Sequence, residues 1–192
     1  CTGHGVPGAL MSIIGTNLLD DIVLDKLVYN PSDILERMHR RLIRAMNTND
    51  GGVTQDDGMD ISVCCIDNQN RTIEIAAANQ FLYIIQNGDI RTVRGNIFSL
   101  GEKLREERMP VFHTNSIELL PETMIYMFSD GFQDQFGGKD NRKFMASRFK
   151  SLLYENHHLP VGEQYELLDR TFNDWKGSNK QIDDVLVVGI RI

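Results

Sequence analysis

The sequence is short of cysteine, of long apolar runs and of positive charge, and each shortage removes a class of protein. Only Cys1, Cys64 and Cys65 occur, too few and wrongly spaced for a disulfide framework or a zinc site. A reducing cytoplasm is the expected compartment. No apolar stretch nears the roughly 18 residues that a membrane-spanning helix needs, so direct membrane insertion is not expected. The first residues show no basic region leading into an apolar stretch, so no signal peptide is visible. Lys and Arg number 20 against 27 Asp and Glu, a formal net charge of -7. An acidic surface disfavours nucleic acid and anionic membrane, because both are polyanions. No P-loop, G-x-S-x-G or dinucleotide fingerprint appears. Repeats, low-complexity tracts and linkers are also missing.

What is present suits one globular domain. The chain has 192 residues, of which 41% are hydrophobic and 24% charged, enough to bury a core. Pro7 reads as an early helical residue, followed by Ala9, Leu10, Ile13, Ile14 and Leu18 at helical spacing. A second helix starts near Pro31-Ser32-Asp33, with Ile34, Leu35, Met38, Leu42, Ile43 and Met46 as its apolar stripe. The middle is β. Strands are expected over 61–66, 72–75, 81–85, 90–93, 116–119 and 124–128, with Asn87-Gly88 as a hairpin turn. Cys64 and Cys65 fall inside the first of these and read as buried. Phe144, Phe149, Leu152 and Leu153 suggest a further helix, and Tyr165, Leu168, Phe172 and Trp175 another after Pro160. Val185 to Ile190 is apolar throughout and reads as a central strand buried on both faces. Helices, hairpin strands, helices and a last strand give the α+β class.

Three clusters carry chemistry. Cys1-Thr2-Gly3-His4-Gly5-Val6-Pro7 is a glycine-flanked turn running into a helix. Ser129-Asp130-Gly131 follows a strand, and Asp183-Asp184 precedes one. Strand ends hold carboxylates on rigid backbone, and hard dications such as Mg²⁺ and Mn²⁺ want several oxygens. Either acid cluster alone is as well explained by an ordinary turn; the three together point to a carboxylate metal site. His4 is open between acid, ligand and loop residue. Asp56, Asp57 and Asp60 are open between a ligand or substrate contact and a solvated loop. The histidine pair 157–158 reads as solvated loop, and His39 and His113 have no supporting context.

Five ordered blocks then carry a resemblance. Thr2 to Ala9, Asp57-Gly58-Met59-Asp60-Ile61, Ser129-Asp130-Gly131-Phe132, Asp134-Gln135-Phe136-Gly137-Gly138 and Gln181 to Val187 resemble the bacterial sporulation-stage-II-E-type phosphatases. These are metal-dependent serine/threonine phosphatases of the type 2C-like superfamily, and the likeness covers essentially the whole chain. It implies an α-β-β-α sandwich of two antiparallel sheets flanked by helices. It implies two Mn²⁺ or Mg²⁺ ions, with a bridging water rather than a side chain as nucleophile on phosphoserine or phosphothreonine. Asp130 and Asp183 would be metal ligands, as would the backbone carbonyl of Cys1. Asp134 would be a supporting or third-metal carboxylate. His4, Gly5, Asp57 and Asp60 are carried as substrate-contacting or supporting residues.

In the family the turn reads Asp-x-x-Gly-His-Gly, and its Asp bridges both metals. That position would precede Cys1, as would strands carrying a Gly-Gly-Asp block. The chain is therefore expected to be a fragment whose leading strands are missing, with a weakened metal site and sheet edges able to dimerise. The implied partners are a phosphorylated protein, an anti-sigma-factor antagonist by analogy, and an upstream sensor domain. The alternative is a non-catalytic protein-binding regulatory module on a phosphatase scaffold.

Overall fold

The computed structural model describes residues 6–47, 58–102 and 110–192. Its first elements are α1 (Val6–Asp20), a π-helical turn (Asp21–Asp25), α2 (Pro31–Asn47), β1 (Ile61–Asp67) and β2 (Thr72–Ala78). The chain continues through β3 (Phe81–Gln86), β4 (Asp89–Arg94), β5 (Asn115–Glu118), β6 (Met124–Phe128) and α3 (Gly131–Asp134). It finishes with β7 (Phe136–Gly137), β8 (Arg142–Lys143), α4 (Ala146–Asn156), α5 (Val161–Lys176) and β9 (Val187–Arg191). Contacts group the chain into two compact units, Cys1–Phe81 with Val93–Leu119 and Leu82–Thr92 with Leu120–Ile192.

In the first unit, Asn30 starts α2. Its Oδ1 accepts from the backbone N–H of Ser32 at 3.1 Å and of Asp33 at 3.2 Å. Pro31 takes the first helical position, where it has no donor to lose. Ile34, Leu35, Met38 and Leu42 are buried as their spacing predicts, each worth about 1.5–3 kcal/mol of transfer free energy. They pack on an antiparallel sheet of order β1-β2-β5, meeting Ala76 and Ala78 of β2. The Asp21 carboxylate pairs with Lys26 and with Arg41 of α2, which hold it below the usual carboxylate range. Asp67 caps the β1–β2 turn, accepting from the N–H of Gln69 and of Asn70 at 2.9 Å each.

Two expectations need correction in this unit. Over residues 8–20 of α1 the buried positions are Gly8, Met11 and Gly15, while Leu10 and Ile13 are more than half exposed. The reason is close packing: a Cβ on Gly15 would lie 2.2 Å from the Met59 Cε. Cys64 and Cys65 are half-buried rather than buried, because among the described residues β1 is an edge strand of its sheet. That burial still pushes the Cys64 thiol up to about 11.

The second unit is built on a sheet of order β4-β3-β6-β9. Asn87 and Gly88 both take positive φ in the β3–β4 hairpin, which is what Asn-Gly supplies at lowest cost. β6 is the buried centre, its Tyr126 and Phe128 nearly without exposed surface. Phe132 of α3 sits in an aromatic cluster, with ring centroids 4.7 Å from Phe149 of α4 and 5.2 Å from Phe172 of α5. Tyr126 donates to Gln164 Oε1 of α5 at 2.6 Å, and burial pushes its hydroxyl up to about 12.

Here too the structure departs from the expectation. β9 is an edge strand, paired only to β6 among the described residues, and its Val188 is exposed. An unbroken apolar run predicts a central strand, but such a run does not say how many neighbours its strand has. Between β6 and α4 the chain also inserts α3 and the β7–β8 hairpin, which the apolar periodicity does not reveal.

Candidate active site

The site lies where β6 ends. Ser129 continues the β6–β9 ladder by one residue, its N–H donating to the Leu186 carbonyl at 3.0 Å. Its hydroxyl accepts from the Leu186 N–H at 2.9 Å and donates to the Asp184 carbonyl at 2.7 Å. The two acid clusters are thereby held side by side. Gly131 shows how closely: a Cβ there would lie 2.3 Å from the Asp184 carbonyl oxygen. Any side chain at 131 would force the clusters apart.

Asp130 occupies the N-cap position of α3 with φ -74° and ψ -14°, and its carboxylate does not cap the helix. The Asp134 N–H donates to the Asp130 carbonyl at 3.0 Å. Asp134 thus follows one turn later, and its Oδ2 accepts from Lys143 Nζ at 2.9 Å. Asp183 is exposed, its Oδ1 accepting from the Asp184 N–H at 2.8 Å. Its carbonyl accepts from the Gln181 amide at 2.8 Å.

Gln135 was not singled out by the sequence, yet it ties the site together. It is fully buried. Its Nε2 donates to the carbonyls of Phe136 at 2.9 Å and Lys180 at 3.0 Å, while Oε1 accepts from the Ile182 N–H at 3.4 Å. Its carbonyl accepts from Trp175 Nε1 at 3.0 Å and from the Phe144 N–H at 3.0 Å. The segment leading into Asp183 is thus pinned to the end of the helix that starts at Asp130. The only hint in the sequence is a polar residue wedged between Asp134 and the aromatic Phe136.

The other expected site residues divide. Asp60 belongs to the first unit, where Oδ1 accepts from the Ser99 hydroxyl and Oδ2 from Asn79 Nδ2 at 3.1 Å. Both oxygens thus tie loops together. Cys1, His4, Gly5 and Asp57 lie outside the described residues. Two exposed carboxylates on adjoining backbone suit a hard dication, which prefers oxygen donors. Among the described residues no group of three His, Cys, Asp or Glu that could hold a metal ion gathers.

The sequence profile described as Stage II sporulation protein E (SpoIIE) matches residues 1–192. No curated protein matches the chain by sequence. The fold is similar to the SiaA-PP2C domain of Pseudomonas aeruginosa, at 25% identity and TM-score 0.86, covering 100% of this chain and 73% of that one. It is similar to the PP2C phosphatase domain, with a fragment of the regulatory domain, of SpoIIE from Bacillus subtilis. There identity is 18% and the TM-score 0.70, over 100% of this chain and 52% of that one. A Mycobacterium tuberculosis protein with RsbU and RsbW domains gives 19% identity and TM-score 0.71, over 99% of this chain and 49% of that one. The chain thus spans about half the length of these last two, whose likeness is one of fold.

Proposed function

We infer function from a premise of family: the chain belongs to the Stage II sporulation protein E family and is homologous to PP2C-type serine/threonine phosphatase domains. The reading is hydrolysis of phosphoserine or phosphothreonine on a bacterial signalling protein, with Mn²⁺ or Mg²⁺ as cofactor. The observation that carries it is the junction of Ser129-Asp130-Gly131 with Asp183-Asp184 through the Ser129 hydroxyl. Of the solved structures with this fold, RsbX is in complex with magnesium.

A bound dication supplies Lewis-acid chemistry, acidifying water and offsetting charge on phosphoryl oxygens. The chain's own residues do the positioning. Asp130 and Asp183 offer the oxygen donors for two ions, joined in this reading by the Cys1 carbonyl. Ser129 fixes the spacing of the two acid clusters, and the bare backbone of Gly131 allows their approach. Asp134, paired to Lys143, supports α3. His4, Gly5 and Asp57 are carried as substrate-contacting or supporting residues. The substrate favoured by family analogy is a phosphorylated anti-sigma-factor antagonist in the cytoplasm, with control by an upstream sensor domain. Self-association through exposed sheet edges is part of the same reading.

The test is phosphate release from a phosphoserine protein by the intact parent protein with Mn²⁺. Release that Asp130→Ala or Asp183→Ala abolishes is the expected result. No release, or release indifferent to Asp130→Ala, overturns the reading and leaves the non-catalytic binding module.

A further inference from the structure

The second unit carries another concavity, of about 580 Å³, built from the β7–β8 hairpin, the start of α4 and Trp175. Its lining includes Lys139, Arg142, Lys143 and Arg148, with Asp140 as the one acid. In a chain of net charge -7 this is a local reversal of sign. Lys143 is balanced by Asp134. Among the described residues no carboxylate forms an ion pair with Lys139, Arg142 or Arg148. Arg148 instead lies over the Trp175 ring, its Cζ 4.5 Å from the centroid.

The cleft is rigidly made. The Gly138 N–H donates to the Trp175 carbonyl at 2.8 Å, and Trp175 Nε1 donates to Gln135. Gly137 passes so close that a Cβ there would lie 1.8 Å from the Trp175 carbonyl oxygen. Asn179 Nδ2 donates to the Phe136 carbonyl at 3.2 Å and to Asn141 Oδ1 at 3.0 Å, fastening the hairpin. Arg148, stacked on this frame, loses little freedom when an anion binds. Guanidinium groups also match the two oxygens of a carboxylate or phosphate.

Position links the cleft to the candidate active site. Lys143 is paired to Asp134, one turn of α3 from Asp130. One turn is about 6 Å along a helix. A cavity of that volume is about 10 Å across, and an extended peptide advances about 3.3 Å per residue. Acidic residues roughly two to five positions from a phosphorylated residue at Asp130 and Asp183 therefore reach these cations.

We propose that this cleft docks an acidic segment of the phosphoprotein substrate, flanking the phosphorylated residue. The proposal rests on the phosphatase reading and adds a sequence preference to it. The experiment uses the intact protein with Mn²⁺ and two phosphoserine peptides identical except for Asp and Glu, or Asn and Gln, in the flanks. An aryl phosphate ester too small to reach the cleft is the reference. The acidic peptide should be favoured about five- to ten-fold in kcat/KM, mostly through KM, and less so in high salt. Lys139→Glu with Arg142→Glu should erase that preference and leave aryl phosphate turnover within about two-fold. Fluorescence anisotropy of the labelled acidic peptide, wild type against the double variant, reads docking without turnover. Equal treatment of the two peptides, an unaltered preference in the variant, or unchanged anisotropy overturns the proposal. Failure to release phosphate from either peptide and from the aryl phosphate overturns the phosphatase reading instead, and the anisotropy comparison still decides on docking. Circular dichroism confirms that the variant is folded. If polyanionic RNA binds more tightly than the acidic peptide, the cleft is a nucleic-acid contact and the proposal falls.

Discussion

The buried amide of Gln135 donates to the Lys180 carbonyl at 3.0 Å, joining the end of α3 to the segment that delivers Asp183. Gln135→Ala strands that carbonyl and leaves a void. The expected cost is about 2–3 kcal/mol, or roughly 5–10 °C in melting temperature for a chain of this size. Metal-stimulated turnover should fall in parallel. Calorimetry and phosphate release check both, and an unchanged melting temperature would show that the segment holds without this bond.

Gly131→Ala and Gly162→Ala are predicted to move in opposite directions. A Cβ at 131 collides with the Asp184 carbonyl oxygen, whereas at 162, in the first turn of α5, it meets nothing within 4 Å. The first should destabilise by about 1–3 kcal/mol and cut activity roughly ten- to a hundred-fold. The second should stabilise by about 0.4–1 kcal/mol with activity unchanged. Urea unfolding of the two variants tests the contrast.

His39 makes the first unit sensitive to acid. It is buried, and its Nδ1 accepts from the Gly101 N–H at 3.1 Å, so the proton of the neutral ring is on Nε2. Burial holds its pKa below the ordinary value, against a smaller opposing pull from Glu102. The neutral ring is the folded form, so this contribution is complete above about pH 6.5. Below that the unfolded chain takes up a proton that the folded chain refuses, and stability falls by at most about 1.4 kcal/mol per pH unit. His39→Asn keeps an acceptor but cannot titrate. Its urea midpoint should change less between about pH 7 and about pH 5 than that of the wild type, and parallel curves would refute the assignment.

Self-association should run through β9. Among the described residues β9 pairs on one side only, which offers its other edge to another copy, and Val188 is exposed. Val188→Lys places a charge where pairing must occur. Sedimentation at high concentration should show dimers for the wild type and monomers for the variant; a monomeric wild type removes the proposal.

Much of this was legible beforehand because it is local. Asn87-Gly88 fixed a hairpin, Pro31-Ser32-Asp33 marked a helix start, and of the stripe that follows Ile34, Leu35, Met38 and Leu42 are buried while Ile43 is half-buried. Asp130 and Asp183 were legible as strand-end acids, and the structure sets their neighbours Gly131 and Asp184 against each other. What escaped depends on neighbours distant in sequence. Gln135 looks like any exposed glutamine until Lys180 and Ile182 close over it. Leu10 looked like core, yet α1 is oriented by what Gly15 admits. β9 had the composition of a central strand but not the position.

The Ser129 hydroxyl bridge spans 55 positions of sequence. α4 and α5 lie between its ends and can form from local contacts, but the bridge must wait for a long loop to close. Assembly of the carboxylate pair is therefore a late event in folding. During refolding, helical circular dichroism should recover before metal-stimulated turnover, with a lag that Ser129→Ala lengthens. A chain in which β9 has not docked carries every helix of the second unit and none of its chemistry, so turnover reports completed folding rather than the presence of the polypeptide.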